Sequence, residues 1–318
     1  MRFVNFIKRQ SPYTFLSIAI AAVSTAAVMI RFIQGSMQSL AIATYRLLFS
    51  TIILLPFSLR KMKMDVKKLS GKHWLLVFFS GFLLAAHFAA WISSLRMTNV
   101  ISSVVLVTTT PIWVAIFSPL ILKTRISARF ILGLAVAFLG IVLLSFSDFG
   151  NDDVAILAEI DLSGKLMGNV LAIVGAFCAA GYTIIGRVIR EKISNESYVV
   201  IVYGIATIFL LMLTMFSGTP LVIPGTTEFL WLLLLALIPQ AVGHSLLNWS
   251  LGMIPAHIVS LTLLGEPIGS TILAMILFRE FPTNSEWLYS SLILAGILIA
   301  IYRPNTDKGA KNRIGFSQ

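Results

Sequence analysis

The stretch Ile258–Phe278 reads IVSLTLLGEPIGSTILAMILF, an apolar run with one acid, Glu266, and one proline, Pro267, near its middle. A bilayer core about 30 Å thick is crossed by roughly 17–25 residues of helix, so this run is long enough to span it. Pro267 has no N–H and its ring clashes with the carbonyl of Leu263, so the helix should kink or break there, and Gly265 loosens it further. A carboxylate at membrane depth is costly and is therefore a functional candidate. Beside a discontinuous helix, it points to an ion or substrate site. The alternative is that Glu266 pairs with a buried cation and only fixes packing.

Working outward, nine further runs of the same kind follow: Tyr13–Ile30, Ala41–Leu59, Trp74–Leu95, Val100–Leu122, Phe130–Phe146, Gly168–Gly186, Tyr198–Phe216, Phe229–Leu247 and Trp287–Tyr302. The 318 residues are 58% hydrophobic and 12% charged, with a mean hydropathy of +0.92. A soluble domain carries roughly 25% charged residues, so lipid is the better solvent for this chain. The expected fold is all-α and integral to the membrane, with ten transmembrane helices. Trp74, Trp231, Trp287, Tyr13, Tyr198 and Tyr302 fall at span ends, where amphipathic rings favour the interface. The first span, preceded by Lys8 and Arg9, has some features of a signal peptide. Gly168–Gly186 occupies the equivalent place in the second half, so the first span is expected to stay.

The net charge of +11 does not point to nucleic acid, because the basic residues lie in short segments between the apolar runs. Nineteen of the 24 fall in Arg2–Arg9, Arg60–Lys72, Lys123–Arg129, Arg187–Lys192 and Arg303–Arg313. The other side holds Arg31, Arg96, Lys165 and Arg279, and Arg46 lies within a span. This asymmetry puts both termini in the cytoplasm of a multi-pass plasma (inner) membrane protein. The longest outer segment, 147–167, carries five acids. The single cysteine, Cys178, permits no internal disulfide, and the four histidines lack metal-ligand spacing, so neither a metal nor a cofactor is expected.

Slid by 156 residues, the chain matches itself in one register: Arg31 meets Arg187, Leu95 and Met97 meet Leu251 and Met253, Pro111 meets Pro267, and Gly140 meets Gly296. The domains are a first five-helix repeat (13–146), the acidic extracytoplasmic loop (147–167), a second five-helix repeat (168–302) and a basic cytoplasmic tail (303–318). Five is odd, so the repeats enter the membrane in opposite directions. Inverted repeats of this kind characterise secondary transporters that alternate access to a midplane site.

The second half reads Leu251-Gly-Met-Ile-Pro-Ala-His257, Leu264-Gly-Glu-Pro267, Phe278-Arg-Glu280 and Gly296-Ile-Leu298. The first half has in parallel Ser94-Leu-Arg-Met-Thr-Asn99, Thr109-Thr-Pro111, Leu122-Lys-Thr124 and Gly140-Ile-Val142. In these features the chain resembles the EamA branch of the drug/metabolite transporter superfamily over nearly its whole length. The resemblance implies a ten-helix transporter of amino acids, related metabolites or drugs, often an exporter. That family usually has a Gly-Glu pair after the fourth and ninth spans; Glu280 keeps the acid, while Lys123-Thr124 replaces the pair in the first half.

Other polar residues within spans complete the candidate pathway. Arg46 either snorkels to the outer interface or faces inward as a partner for Glu266 or a substrate carboxylate. Pro111, beside Thr109, is the matching break of span four, where threonine hydroxyls can also return hydrogen bonds to freed carbonyls. His87 and His244 are proton relays or neutral core histidines. Trp91 lies one turn from His87, and Asn248 and Trp249 follow His244; these could wall a pocket, with Tyr182 and Tyr203 as weaker candidates. The expected partners are a small-molecule substrate and the lipid bilayer, with possible proton coupling through Glu266. A nucleotide-sugar or phosphate-ester transporter, or a lipid flippase, is the rival within this fold; a membrane-embedded enzyme would need convergent catalytic groups that the sequence does not offer. Reporter fusions at Gln318 and within residues 147–167 are expected on opposite sides of the membrane; finding both on one side contradicts the topology.

Overall fold

The computed structural model describes residues 11–98, 103, 106–147, 162–278 and 284–301. The acids of 148–161, Arg279 and Glu280, the start of the fourth span, and the two ends of the chain lie outside the described residues. Among the described residues every regular element is helical. The first span is two helices, α1 (Pro12–Val23) and α2 (Thr25–Ile33), interrupted at Ser24, whose hydroxyl donates to the Ile20 carbonyl at 2.8 Å. Then come α3 (Ser39–Asp65), α4 (Gly71–Met97), α5 (Thr110–Ile121) and α6 (Ala128–Ser147). The second half holds α7 (Leu162–Arg190), α8 (Asn195–Phe216) and α9 (Thr226–Leu235). A π-helical turn, Ala236–His244, joins α9 to α10 (Ser245–Leu251). A 3₁₀ turn, Leu263–Gly265, joins α11 (Ala256–Thr262) to α12 (Glu266–Phe278), and α13 (Asn284–Ile301) follows.

Among the described residues, seven helical segments are long and apolar enough to cross a membrane: Pro12–Ile33, Ser39–Lys68, Gly71–Met97, Leu166–Arg190, Asn195–Phe216, Thr226–Leu251 and Ala256–Leu277. Three shorter apolar helices, Thr110–Ile121, Ala128–Leu143 and Trp287–Ala300, fall on the remaining expected spans. Several helices outrun the apolar stretches that announced them. Helix α7 begins at Leu162, inside the segment read as loop. Both mid-span prolines act as the sequence suggests. Pro111 and Pro267 each stand in the first turn of a new helix, where a missing N–H leaves nothing unpaired. Pro56 lies inside α3 without a break.

The halves are interlocked. The most extensive contacts join α4 to α7, α6 to α13, and α3 to α8, each across the two repeats. Shifted by 156 residues, α3 against α8 and α6 against α13 map onto themselves. The α4–α7 contact maps onto that of α1 with the π-turn and α10. In lipid, helix association depends on close packing by small residues more than on burial from water. At α6–α13 a Cβ on Gly296 would lie 2.4 Å from Ala137 N and 2.5 Å from Gly133 O, and one on Gly133 would lie 2.5 Å from Gly296 O. The backbones touch there, and Gly140, the repeat match of Gly296, is also close to α13: a Cβ on it would lie 2.8 Å from Tyr289 O. Outward faces carry large apolar side chains such as Phe57 and Phe216. One interface assignment is corrected: Tyr198 is fully buried and its hydroxyl bonds that of Ser80 at 2.8 Å.

Gly296→Leu is expected to lower the stability of the purified protein by roughly 1–3 kcal/mol or abolish folding, since backbone cannot yield as a side chain can. Gly35→Leu, where a Cβ meets nothing within 4 Å, should be neutral. Thermal melting in detergent checks the pair.

Candidate functional site

Helix α3 docks on the π-turn through two residues one turn apart. Ser50 Oγ donates to the Ala236 carbonyl at 3.1 Å, and Arg46 Nε donates to Gln240 Oε1 at 2.8 Å. Pro239 within this turn has no N–H to give the regular ladder, and the wider π spacing accommodates it. Arg46 is 1% exposed, so it does not snorkel. Its guanidinium carbon stands 4.2 Å from the centre of the Phe88 ring and 6.0 Å from that of Trp91, in reach of cation–π attraction. Its Nη1 has no hydrogen-bond partner among the described residues. Of the partners considered for it, Glu266 is not ion-paired with it; ion pairs among the described residues include Lys61–Glu196, Lys68–Asp65 and Arg187–Glu191.

Arg46 opens onto a cavity of about 80 Å³ between the halves, large enough to hold several waters. Positions related by the repeat line it together: Val23 and Ala179, Ala26 and Tyr182, Trp91 and Leu247, Val107 and Leu263, Thr110 and Glu266. Glu266 stands at the first residue of α12, partly exposed, without a hydrogen bond or ion pair to another described residue. His87 Nδ1 lies 2.9 Å from the Gly175 carbonyl, so that nitrogen carries the proton and donates, leaving Nε2 as the second polar atom of the ring. The ring lies parallel to Trp91, at 6.1 Å and 10°. His244 meets Phe88 edge-on at 5.5 Å. Asn248 Nδ2 donates to the Tyr182 hydroxyl at 2.5 Å and to the His244 carbonyl at 2.7 Å, while its Oδ1 is buried and unpartnered. Thr110 Oγ1 donates back to the Val107 carbonyl at 2.8 Å and reaches Ala176 O at 3.3 Å, so this hydroxyl does return bonds to backbone near the break.

The cavity therefore gathers Glu266, Arg46, His87, Trp91, Pro111, Tyr182, His244 and Asn248. Four candidates stand apart from its lining. Thr109 turns its hydroxyl to Leu106 O at 2.7 Å, and its neighbours Thr108 and Thr110 line the cavity in its place. Pro267 shapes the helix start next to Glu266. Tyr203 is fully buried, with its hydroxyl unpartnered among the described residues. Trp249 packs edge-on against Phe15 at 4.6 Å. Sequence reasoning missed Gln240, Thr183 and Ser260. Gln240 carried a signal, an amide directly after Pro239 in an otherwise apolar run. The other two are small hydroxyl residues of the kind found throughout membrane helices.

The profile of the EamA-like transporter family matches residues 10–146 and again 166–302, two copies in the register read from the sequence. The chain is 24% identical over 248 residues to the uncharacterized transporter YwfM of Bacillus subtilis, covering 75% of this chain and 77% of that one. It is 24% identical over 276 residues to an uncharacterized transporter of Archaeoglobus fulgidus, covering 87% and 91%. It is also similar in fold to a crystal structure titled only as a protein, with a TM-score of 0.74 at 16% identity over 96% of this chain and 99% of that one. With both repeats matched from end to end, the chain belongs to the EamA-like transporter family.

Proposed function

We propose that this protein is a ten-span secondary transporter that exports small metabolites, amino acids or close relatives, by alternating access across the plasma membrane. The observation that carries the proposal is the cavity shared by equivalent positions of the two halves, with one cation and one carboxylate and no ion pair between them. Arg46 with Gln240 supplies donors for a carboxylate. Glu266 suits a substrate ammonium or a coupling proton, and the rings of Trp91 and His87 form an aromatic wall backed by Phe88. A cavity of about 80 Å³ favours a compact solute over a nucleotide sugar, and a phosphate ester would call for more than one lining cation. The discontinuous helices at Pro111 and Pro267 supply the hinges that exchange of access requires.

Glu266→Gln keeps size and most hydrogen bonding while removing charge. The variant should reach the membrane in normal amounts yet lose transport by about tenfold or more, the scale of one charge-assisted contact, whereas Glu280→Gln should be milder. Flux measured in vesicles across pH checks this. A Glu266→Gln protein with normal flux and unchanged pH dependence makes the acid structural and ends the proposal.

A further inference from the structure

The repeat matches Arg31 to Arg187 and Leu95 to Leu251. In the structure the second-half members of these two matches are the two ends of one hydrogen bond: Arg187 Nη1 donates to the Leu251 carbonyl at 2.5 Å. It has companions. Arg190 Nε donates to the Asn248 carbonyl at 3.2 Å, its Nη1 donates to the Ile193 carbonyl, and Asn195 Nδ2 donates to the Ser245 carbonyl at 2.9 Å. Ser245, Asn248 and Leu251 recur every three residues along α10, so a row of its carbonyls is held by the end of α7 and the start of α8. The last carbonyls of a helix have no partner within it, and cations are favoured at that end. The backbone comes close enough at Gly252 that a Cβ there would sit 3.1 Å from Arg190 Nη2. Asp65 braces the same corner, accepting from Ser194 N at 3.0 Å and Ser197 Oγ at 2.8 Å.

More than helix capping is involved, because two of the held carbonyls belong to Asn248 and Leu251, residues that line the cavity. These bonds hold α7 against a stretch of α10 that walls the cavity. The equivalent elements of the first half, the end of α2 and the end of α4, make at most marginal contact among the described residues, while α7 and α10 pack together. Two similar halves thus stand in different arrangements. The donors survive in the first half in reduced form: Arg31 for Arg187, Gln34 for Arg190 and Ser39 for Asn195.

We infer that Arg187 and Arg190 form a latch that shuts the cavity at the end bearing them, the cytoplasmic one in the positive-inside orientation, and that Arg31 makes the matching latch on the Leu95 carbonyl in the opposite state. The inference rests on the transport reading above. Its two-arginine arm is the one engaged here, and alternation consists of releasing one arm as the other engages.

The test uses the full-length protein with Cys178, its only cysteine, changed to Ser and a reporter Ser260→Cys in the cavity wall. A membrane-impermeant maleimide is added to right-side-out or inside-out vesicles, and each signal is divided by labelling after denaturation. The reporter should label mainly from the outer face. Replacing Arg187 and Arg190 with Ala should shift the outer-to-inner ratio toward the inner face by roughly tenfold, the scale of a charge-assisted hydrogen bond, and Arg31→Ala should shift it the other way. If the double variant yields too little folded protein, Arg187→Gln is read identically. An unchanged ratio, or shifts in one direction from both ends, overturns the latch. Labelling needs no substrate, so an unshifted ratio in a protein whose flux still depends on Glu266 refutes the latch alone.

Discussion

A guanidinium held inside the membrane is the constraint on which this structure turns. Insertion scales put arginine at the centre of a spanning helix at about 2.5–3.5 kcal/mol, and Arg46 neither reaches the interface nor pairs with a carboxylate. Three features offset the cost: the Gln240 amide, the face of Phe88, and the cavity onto which the rest of the group opens. Each makes a demand on the fold. Gln240 is brought to Arg46 by the π-turn around Pro239, and Ser50 binds a carbonyl of that turn one helical turn further on. Phe88 in turn meets His244, the last residue of the same turn.

The second demand comes from the broken helices. In hydrocarbon an unpaired backbone group is costly, so irregular backbone is tolerated only where protein or water surrounds it. Here the breaks at Thr110 and Glu266 both face the cavity, at positions related by the repeat, and threonine hydroxyls return hydrogen bonds to the chain beside the first of them. Away from the cavity, contact between backbones at Gly133 and Gly296 fixes one pair of equivalent helices. Close backbone packing thus lies at the α6–α13 seam and irregular backbone around the cavity, the division that the proposed alternation of access requires.

Much of this was legible in the sequence. The apolar runs, the repeat and the breaks at Pro111 and Pro267 follow from residue type and spacing alone. So did eight members of the cavity wall, because a polar group within an apolar run has few places to go. What could not be read depended on helix rotation and on backbone partners. Trp249 is one residue from Asn248, yet one residue turns a helix by about 100°, enough to send it to Phe15. Tyr198 looked like an interfacial ring until a neighbouring helix supplied Ser80. Pro239 and Pro56 are alike in sequence, but one sits in a π-turn and the other in an unbroken helix. Arg187 looked like a flanking positive charge because the carbonyl it binds leaves no mark in the sequence.

The central claim is that the uncompensated charge on Arg46 receives the anionic group of the transported molecule. The direct measurement is calorimetric binding to the purified protein of an amino acid that it carries, beside the methyl ester of the same amino acid. The account predicts that the free acid binds at least about tenfold more tightly, the scale of one charge-assisted hydrogen bond, and that Arg46→Gln erases the preference while leaving the protein folded. Equal binding of acid and ester, or a preference that survives Arg46→Gln, would contradict it.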